Sequence, residues 1–210
     1  FMARRTAQSH AGFLLPFLKP GMRLLDCGCG PGTITIGLAQ AVAPGRVVGI
    51  DREQSQLAAA AELFKAAGLQ AEFCSSSIYE LPFSDNSFDA VFSHALFEHL
   101  KDPRRALGEM HRVLKPGGLV ALRSPDWGGF IIAPGTPMLD RAIEVYKKLQ
   151  TENGGDVLAG RKLKGWLIQA DFQDVVATGT YESYEPLDSI TEYLALRIEE
   201  PVLKDGAVER

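Results

Sequence analysis

The sequence predicts an α/β protein in which a doubly wound, mostly parallel sheet lies between two layers of helices. The first observation is a series of short runs that are apolar at nearly every position, which is typical of strands buried on both faces. The second is that helical patterns separate the first three of these runs, and strands that alternate with helices form such sheets. The third is a length of 210 residues with 46% hydrophobic residues, enough for one domain around one core.

The elements follow in order along the chain. The helix that opens at Asp102-Pro103 begins with an N-cap and a first-turn proline, and Lys115-Pro116-Gly117-Gly118 ends it. Gly68 follows the helix predicted over residues 53–67, and glycine is common just past a helix end. We predict strands over residues 22–27, 46–50, 71–75, 88–92 and 119–123, and helices over 4–18, 33–42, 53–67 and from 103 to about 114. Beyond these we predict helices over 137–150 and 156–170, a strand over 172–181, and a helix around 190–198.

The segment from Leu24 to Gly32 organises this arrangement, because an apolar strand runs directly into three alternating glycines and then a helix. Glycine allows a positive φ and lets a ligand approach the backbone without meeting a Cβ atom. The N-terminus of the following helix offers free N–H groups and the positive end of its dipole. The segment therefore predicts a loop that binds a cofactor, and the alternative is a tight turn with no ligand.

The spacing of the glycines distinguishes two classes of nucleotide cofactor. The dinucleotide fingerprint requires glycine or alanine where this chain has Thr33, so a nicotinamide-dependent dehydrogenase is the weaker alternative. The pattern Asp26-x-Gly28-x-Gly30-x-Gly32 instead resembles the glycine-rich motif of class I S-adenosylmethionine-dependent methyltransferases. Asp51 ends the second strand, where a carboxylate can accept hydrogen bonds from ribose hydroxyls in either class.

Three further segments resemble the small-molecule group of that family (methyltransferase type 11), which includes the ubiquinone and menaquinone biosynthesis enzymes. They are Leu81-Pro82-Phe83, Glu98-His99-Leu100 and the Lys115-Pro116-Gly117-Gly118 turn. The resemblance implies S-adenosyl-L-methionine as cofactor and in-line transfer of its methyl group to an O, N or C nucleophile of a small molecule. The alternatives are a protein that binds the cofactor without turnover and an enzyme that uses it for another group transfer.

The resemblance also implies which residues bind the cofactor. Ser77 stands where many relatives have an Asp that accepts from the adenine amino group, and Ile78 beside it is expected to pack on the purine. Arg4, Arg5 and Gln8 are weaker candidates for the methionine carboxylate. The full set of expected cofactor-binding residues is Asp26, Gly28, Cys29, Gly30, Gly32, Asp51, Arg52, Ser76, Ser77, Ile78, Ser93 and His94.

The segment after the fourth strand bears on the methyl acceptor. Ser93-His94-Ala95-Leu96 lacks the Asn/Asp-Pro-Pro-aromatic tetrad that base-methylating enzymes of this fold use to grip a flipped base. We therefore expect a small-molecule acceptor, with His94 as the candidate general base, and His99 as the alternative, if the acceptor must lose a proton. Glu98 and His99 are expected to pack and cap a helix end.

The chain is expected to be one methyltransferase domain over residues 1–210. Residues 1–20 form its N-terminal cap, 21–125 its cofactor-binding core, 126–170 a wall and lid for the acceptor, and 171–210 a final strand and helix. The alternative for 126–170 is an ordinary connection packed on the domain. The family sheet has seven strands and this sequence supplies six, so the chain either lacks the last antiparallel strand or has been cut short at its C-terminus, and we expect the second.

The composition indicates which kinds of partner and which location to expect. A net charge of −4 gives no general attraction to nucleic acid, so none is expected as a partner. The three cysteines predict neither a disulfide framework nor a metal site. No apolar run approaches the length of a membrane span, so we expect a cytoplasmic protein. The sequence does not indicate the oligomeric state.

Overall fold

A computed structural model describes residues 4–182 and Ala195 of the chain. Its sheet has five strands, all parallel, in the order β3-β2-β1-β4-β5. The order reverses between β1 and β4, which places the ligand crevice of such sheets at the carboxyl ends of those two strands. The predicted fold class is confirmed. The strands are β1 (Arg23–Cys27), β2 (Arg46–Asp51), β3 (Glu72–Ser75), β4 (Phe88–His94) and β5 (Leu114–Arg123).

Six α-helices cover the sheet within the described residues, and most lie close to their predicted positions. Asp102 is the N-cap of α4 and accepts a hydrogen bond from the Arg105 N–H at 3.0 Å. Gly68 follows α3 with φ at 66°, as expected of a glycine past a helix end. The helices are α1 (Ala7–His10), α2 (Thr35–Val42), α3 (Gln54–Ala66), α4 (Pro103–Val113), α5 (Pro137–Glu152) and α6 (Ala159–Gln169).

The core lies on both faces of the sheet because successive strand residues point to opposite sides. Leu25 packs with Leu107 of α4 and Leu167 of α6, whereas the neighbouring Leu24 packs with Leu38 of α2 on the other face. Both leucines of β1 are completely buried. This two-sided burial explains why the strands are apolar without alternation.

The predicted helix over residues 4–18 is wrong in its extent. The structure has the four-residue α1 and then a separate 3₁₀ turn at Leu15–Phe17. Gly12 interrupts the helix where a Cβ atom would stand 2.6 Å from the Gln8 carbonyl oxygen, and Pro16 cannot donate a helical hydrogen bond. As a result, Phe13 and Phe17 are 41% and 60% exposed instead of sharing a buried face with Leu14.

The strand β5 begins earlier than predicted. Phe88 pairs with Leu114, and the next pair joins Ala90 to Leu119, so the Lys115-Pro116-Gly117-Gly118 turn bulges out of the ladder. Gly117 has φ at 75° within this bulge. The turn that was expected only to end a helix therefore also starts the strand.

The strand predicted over residues 172–181 is absent from the described part of the chain, where this segment is irregular. Asp171 and Asp174 have φ values of 63° and 53°, which a strand does not accommodate. Val176 and Tyr181 are 85% and 81% exposed. The described sheet therefore has five strands where the sequence suggested six.

The helix predicted around 190–198 lies outside the described residues except for Ala195. Within the described residues, no helix is long and apolar enough to cross a membrane.

Candidate functional site

The glycine loop lies at the carboxyl end of β1 and is held against the end of β2. Gly28, Gly30 and Gly32 have φ values of 74°, 52° and 78°. The N–H groups of Gly28 and Cys29 donate to the Ile50 carbonyl oxygen at 2.8 and 2.9 Å. The Gly30 N–H donates to the Asp51 Oδ2 atom at 2.9 Å. The loop and the carboxylate that the sequence singled out therefore meet directly.

The glycines of the loop are needed for different reasons. A Cβ atom on Gly32 would stand 3.0 Å from the Ala60 Cβ atom, so this glycine allows α3 to pack closely. A Cβ atom on Gly30 would meet only the Gln56 Oε1 atom, at 3.9 Å. Gly30 thus presents bare backbone to open space beside Asp51, and this part of the loop fits the close approach of a nucleoside cofactor.

Asp51 retains capacity for a ligand. Its Oδ1 atom accepts the Glu53 N–H at 3.0 Å, and the side chain is half-buried at the end of β2. An ionised carboxylate offers about four acceptor positions, so the two backbone hydrogen bonds leave about two for ribose hydroxyls. The next residue, Arg52, is exposed.

Asp26 and Cys29 support the loop from below. Asp26 is 2% exposed, and its Oδ2 atom accepts from the Thr35 Oγ1 atom at 2.7 Å, which fixes the start of α2. Burial raises the pKa of Asp26 to about 7, against the opposing effect of the Thr35 hydrogen bond. Cys29 is 8% exposed, and burial together with the two nearby carboxylates raises the pKa of its thiol. Both residues were expected to bind the cofactor, and the structure places both side chains beneath the loop.

The segment after β3 is tied to itself by hydrogen bonds. The Ser76 hydroxyl donates to the Ser77 and Glu80 carbonyl oxygens, both at 3.3 Å. The Ser77 Oγ atom accepts from the Tyr79 N–H at 3.2 Å and keeps one acceptor position and its proton. Ile78 is 5% exposed and packs in the core, so its side chain is not free to cover a purine as expected.

The end of β4 differs in detail from the sequence expectation. Ser93 is 1% exposed, and its hydroxyl donates to the Cys27 carbonyl oxygen at 2.8 Å, which links β4 to β1. His94 contacts the His10 ring edge-on, with centroids 4.9 Å apart. Burial, with smaller contributions from Arg5 and other cations, lowers the pKa of His94 to about 2. A neutral imidazole this weakly basic is a poor general base near neutral pH, so the structure argues against that expected role.

Arg123, at the end of β5, was not singled out from the sequence. Its Nη1 atom donates to the Ser9 carbonyl oxygen at 2.8 Å, and its Nη2 atom pairs with the Glu182 Oε1 atom at 2.6 Å. The same Glu182 oxygen lies 3.3 Å from the His10 Nε2 atom. The sequence did contain one indication of this residue, an arginine at the end of an apolar strand on the ligand-binding edge of the sheet. Its partners could not be predicted because they are distant in sequence.

Residues 126–157 form a small cluster of their own beside this edge. The Trp127 ring lies 5.1 Å from the Phe130 ring and 4.5 Å from the Tyr146 ring, centroid to centroid. Asp126 receives two hydrogen bonds from Arg161, at 2.6 and 3.0 Å. The segment therefore has a small apolar cluster of its own, built around Trp127, Ile143 and Tyr146.

Glu98 and His99 lie where the sequence expected, in a 3₁₀ turn that packs against the following helices. The Glu98 carbonyl oxygen accepts from the Gln150 Nε2 atom at 3.0 Å and from the Asp156 N–H at 2.9 Å. The turn therefore fixes the end of α5 and the loop after it.

A hollow lies at the carboxyl ends of β4 and β5. We define this β4–β5 hollow as the space that is lined by Phe13, His94, Ser124, Trp127 and Ile131.

Comparison with known proteins agrees with this geometry. Residues 25–122 match a family model described as a methyltransferase domain. An uncharacterised methyltransferase of Schizosaccharomyces pombe is 38% identical over 177 residues, which are 81% of this chain and 63% of that protein. A demethylmenaquinone methyltransferase of Bacillus cytotoxicus is 44% identical over 105 residues, 49% of this chain and 44% of that protein.

A solved S-adenosylmethionine-dependent methyltransferase of Aquifex aeolicus is 27% identical, with a TM-score of 0.56 over 73% of this chain and 84% of that one. The chain spans 63% and 44% of the lengths of the two curated relatives above. The family match covers β1 to β5 almost completely, including the glycine loop and Asp51. By this match and by the sheet order, residues 25–122 form a methyltransferase domain with the fold of the class I S-adenosylmethionine-dependent methyltransferases.

Proposed function

We propose that this chain binds S-adenosyl-L-methionine at the carboxyl ends of β1 and β2 and transfers its methyl group to a small molecule. The observation that carries the proposal is the contact between the Gly30 N–H and the Asp51 carboxylate beside open space. It brings bare backbone and a sugar-binding carboxylate to one edge of the sheet. The three similar proteins described above are named as methyltransferases, and the Aquifex aeolicus protein is named as S-adenosylmethionine-dependent, which supports the same cofactor and reaction.

Each residue has a distinct part in holding the cofactor. Gly28 and Gly30 let the nucleoside approach the backbone, and Asp51 accepts the ribose hydroxyls at its remaining positions. Ser77 accepts from the adenine amino group at its remaining acceptor position. Asp26 and Ser93 act indirectly, by fixing the loop and by joining β4 to β1.

The chemistry needs little from the protein beyond alignment. The cofactor supplies a methyl group on a positively charged sulfur, a leaving group that is already activated. The chain orients the acceptor and excludes water, and orientation of this kind can contribute about 7 to 11 kcal/mol. Because the pKa of His94 is lowered to about 2, we infer that this residue lines the acceptor side without taking a proton.

Two measurements test the proposal. Isothermal calorimetry with S-adenosylhomocysteine tests cofactor binding, and we expect saturable binding at one site with none for NADH. Transfer of a labelled methyl group to a panel of small metabolites then separates an enzyme from a protein that only binds. Binding of NADH in place of S-adenosylhomocysteine would contradict the proposal, and binding without transfer to any acceptor would favour the non-catalytic alternative.

A further inference from the structure

Two buried hydrogen-bonding groups in the β4–β5 hollow have no partner among the described residues. They are the Trp127 Nε1 atom and the Ser124 Oγ atom. Trp127 as a whole is 7% exposed. A buried polar group without a partner costs on the order of 1 to 3 kcal/mol, so such groups in folded proteins call for an explanation.

These groups lie at the carboxyl ends of β4 and β5. Ser124 directly follows Arg123, and the Arg123 carbonyl oxygen accepts the Ala95 N–H at 2.8 Å, so the ends of β4 and β5 are side by side. Ser124, Trp127 and His94 line the same hollow. The Trp127 backbone is fixed by a hydrogen bond from its N–H to the Val157 carbonyl oxygen at 2.9 Å.

The arginine beside the hollow is already paired. Arg123 pairs with Glu182 at 2.6 Å and donates to a backbone carbonyl oxygen. Burial lowers the pKa of both His94 and His10, which favours their neutral forms. Phe13 and Ile131, 41% and 74% exposed, add apolar surface. The five residues that define the hollow therefore combine unsatisfied neutral donors with apolar walls, and none of these five side chains carries a positive charge.

We propose that the hollow binds a neutral, largely apolar methyl acceptor and that Trp127 Nε1 and Ser124 Oγ hydrogen-bond an oxygen atom of that molecule. An indole N–H can only donate, so the group that it meets must be an acceptor such as a carbonyl, hydroxyl or ether oxygen. Because both atoms are buried, the turn at Trp127–Gly129 must shift locally for the oxygen to reach them. This inference rests on the proposed function, whose acceptor class it names.

The test uses three aromatic probes of equal size: acetophenone with a neutral carbonyl, cumene with no oxygen, and benzoate with a negative charge. The chain has two tryptophans, so their indole N–H signals can be followed separately by NMR, with and without S-adenosylhomocysteine. We expect acetophenone to shift the Trp127 signal, to leave the Trp166 signal in place, and to bind about tenfold more tightly than cumene.

Two variants and one control complete the test. Trp127→Phe keeps the ring without its N–H, and Ser124→Ala removes the hydroxyl; each should reduce the preference for acetophenone over cumene. Trp166→Phe, on α6 beside Phe97, is the matched control and should preserve that preference. An unchanged Trp127 indole N–H signal on addition of acetophenone, or tighter binding of benzoate than of acetophenone, would overturn this inference. Loss of S-adenosylhomocysteine binding in calorimetry would instead reject the proposed function.

Discussion

At the scale of single residues, Gly30 is the most informative position. Its φ of 52° disfavours any β-branched residue, and a side chain there would enter the space beside Asp51. We expect Gly30→Val to abolish binding of S-adenosylhomocysteine in calorimetry. Gly68→Val is the matched control, since Gly68 has φ at 66° and no neighbour within 4 Å but lies past the end of α3. Equal affinities for the two variants would reject our placement of the cofactor.

Asp26 gives a prediction for pH. Its pKa is raised from 3.8 to about 7 in the folded chain, so folding is favoured when Asp26 is protonated. Its contribution is therefore complete below about pH 4 and is lost as the pH rises to about 7. We expect the free energy of unfolding of Asp26→Asn, measured relative to the wild type, to rise across this range by up to about 4 kcal/mol.

The comparison is made by urea unfolding at several pH values. Glu62→Gln, a charge-neutralising change on the exposed side of α3, is the control and should show no such rise. A difference between Asp26→Asn and wild type that does not vary with pH would show that the Asp26 carboxylate is ionised in the folded chain throughout.

At the scale of single residues, the sequence predicted the backbone of the loop and the position of Asp51, but it did not predict the contacts of the other polar side chains. The positive φ of the three loop glycines and the nearness of Asp51 follow from a spacing that strand-to-helix geometry enforces. Whether a polar side chain faces a ligand or the core depends on neighbours from distant segments. Ser93 binds the carbonyl oxygen of Cys27, and no local pattern announces that contact.

At the scale of elements, α4 depends on its N-cap. The Asp102 side chain accepts the Arg105 N–H at 3.0 Å, and α4 supplies Leu107 and Met110 to the core. Replacing such a cap by alanine costs about 1 kcal/mol. We expect Asp102→Ala to lower the free energy of unfolding by about that amount in denaturant titration. Glu62→Ala, at an exposed position within α3, should change it by less than about half as much.

Elements were predictable where periodicity and end signals agreed. Helix α3 has an apolar stripe and a terminal glycine, and its bounds differ from the prediction by one residue at each end. The N-terminal segment has the same kind of stripe, but Gly12 and Pro16 divide it. The strand predicted over residues 172–181 was wrong for a different reason: its apolar residues suggested a strand, yet Asp171 just before it and Asp174 within it have positive φ values that turn the backbone.

For the molecule as a whole, cofactor binding should raise stability. A ligand that binds only the folded state adds about 2.7 kcal/mol at a concentration of one hundred times its Kd. We expect S-adenosylhomocysteine to increase Tm by several degrees in thermal unfolding and NADH to leave it unchanged. S-adenosylhomocysteine should not increase the Tm of Gly30→Val. An increase in this variant would show that the ligand stabilises the protein by binding outside the proposed site.

The hydrogen bond between Gly30 and Asp51 has a consequence for kinetics. Since the fold itself secures the loop, little conformational entropy remains to be lost when the nucleoside arrives. A preorganised loop of this kind predicts association limited by diffusion and desolvation, without a slow isomerisation step. We expect Asp51→Ala to free the loop, which would then lose conformational entropy on binding the cofactor. The association rate should therefore fall and the dissociation rate should rise.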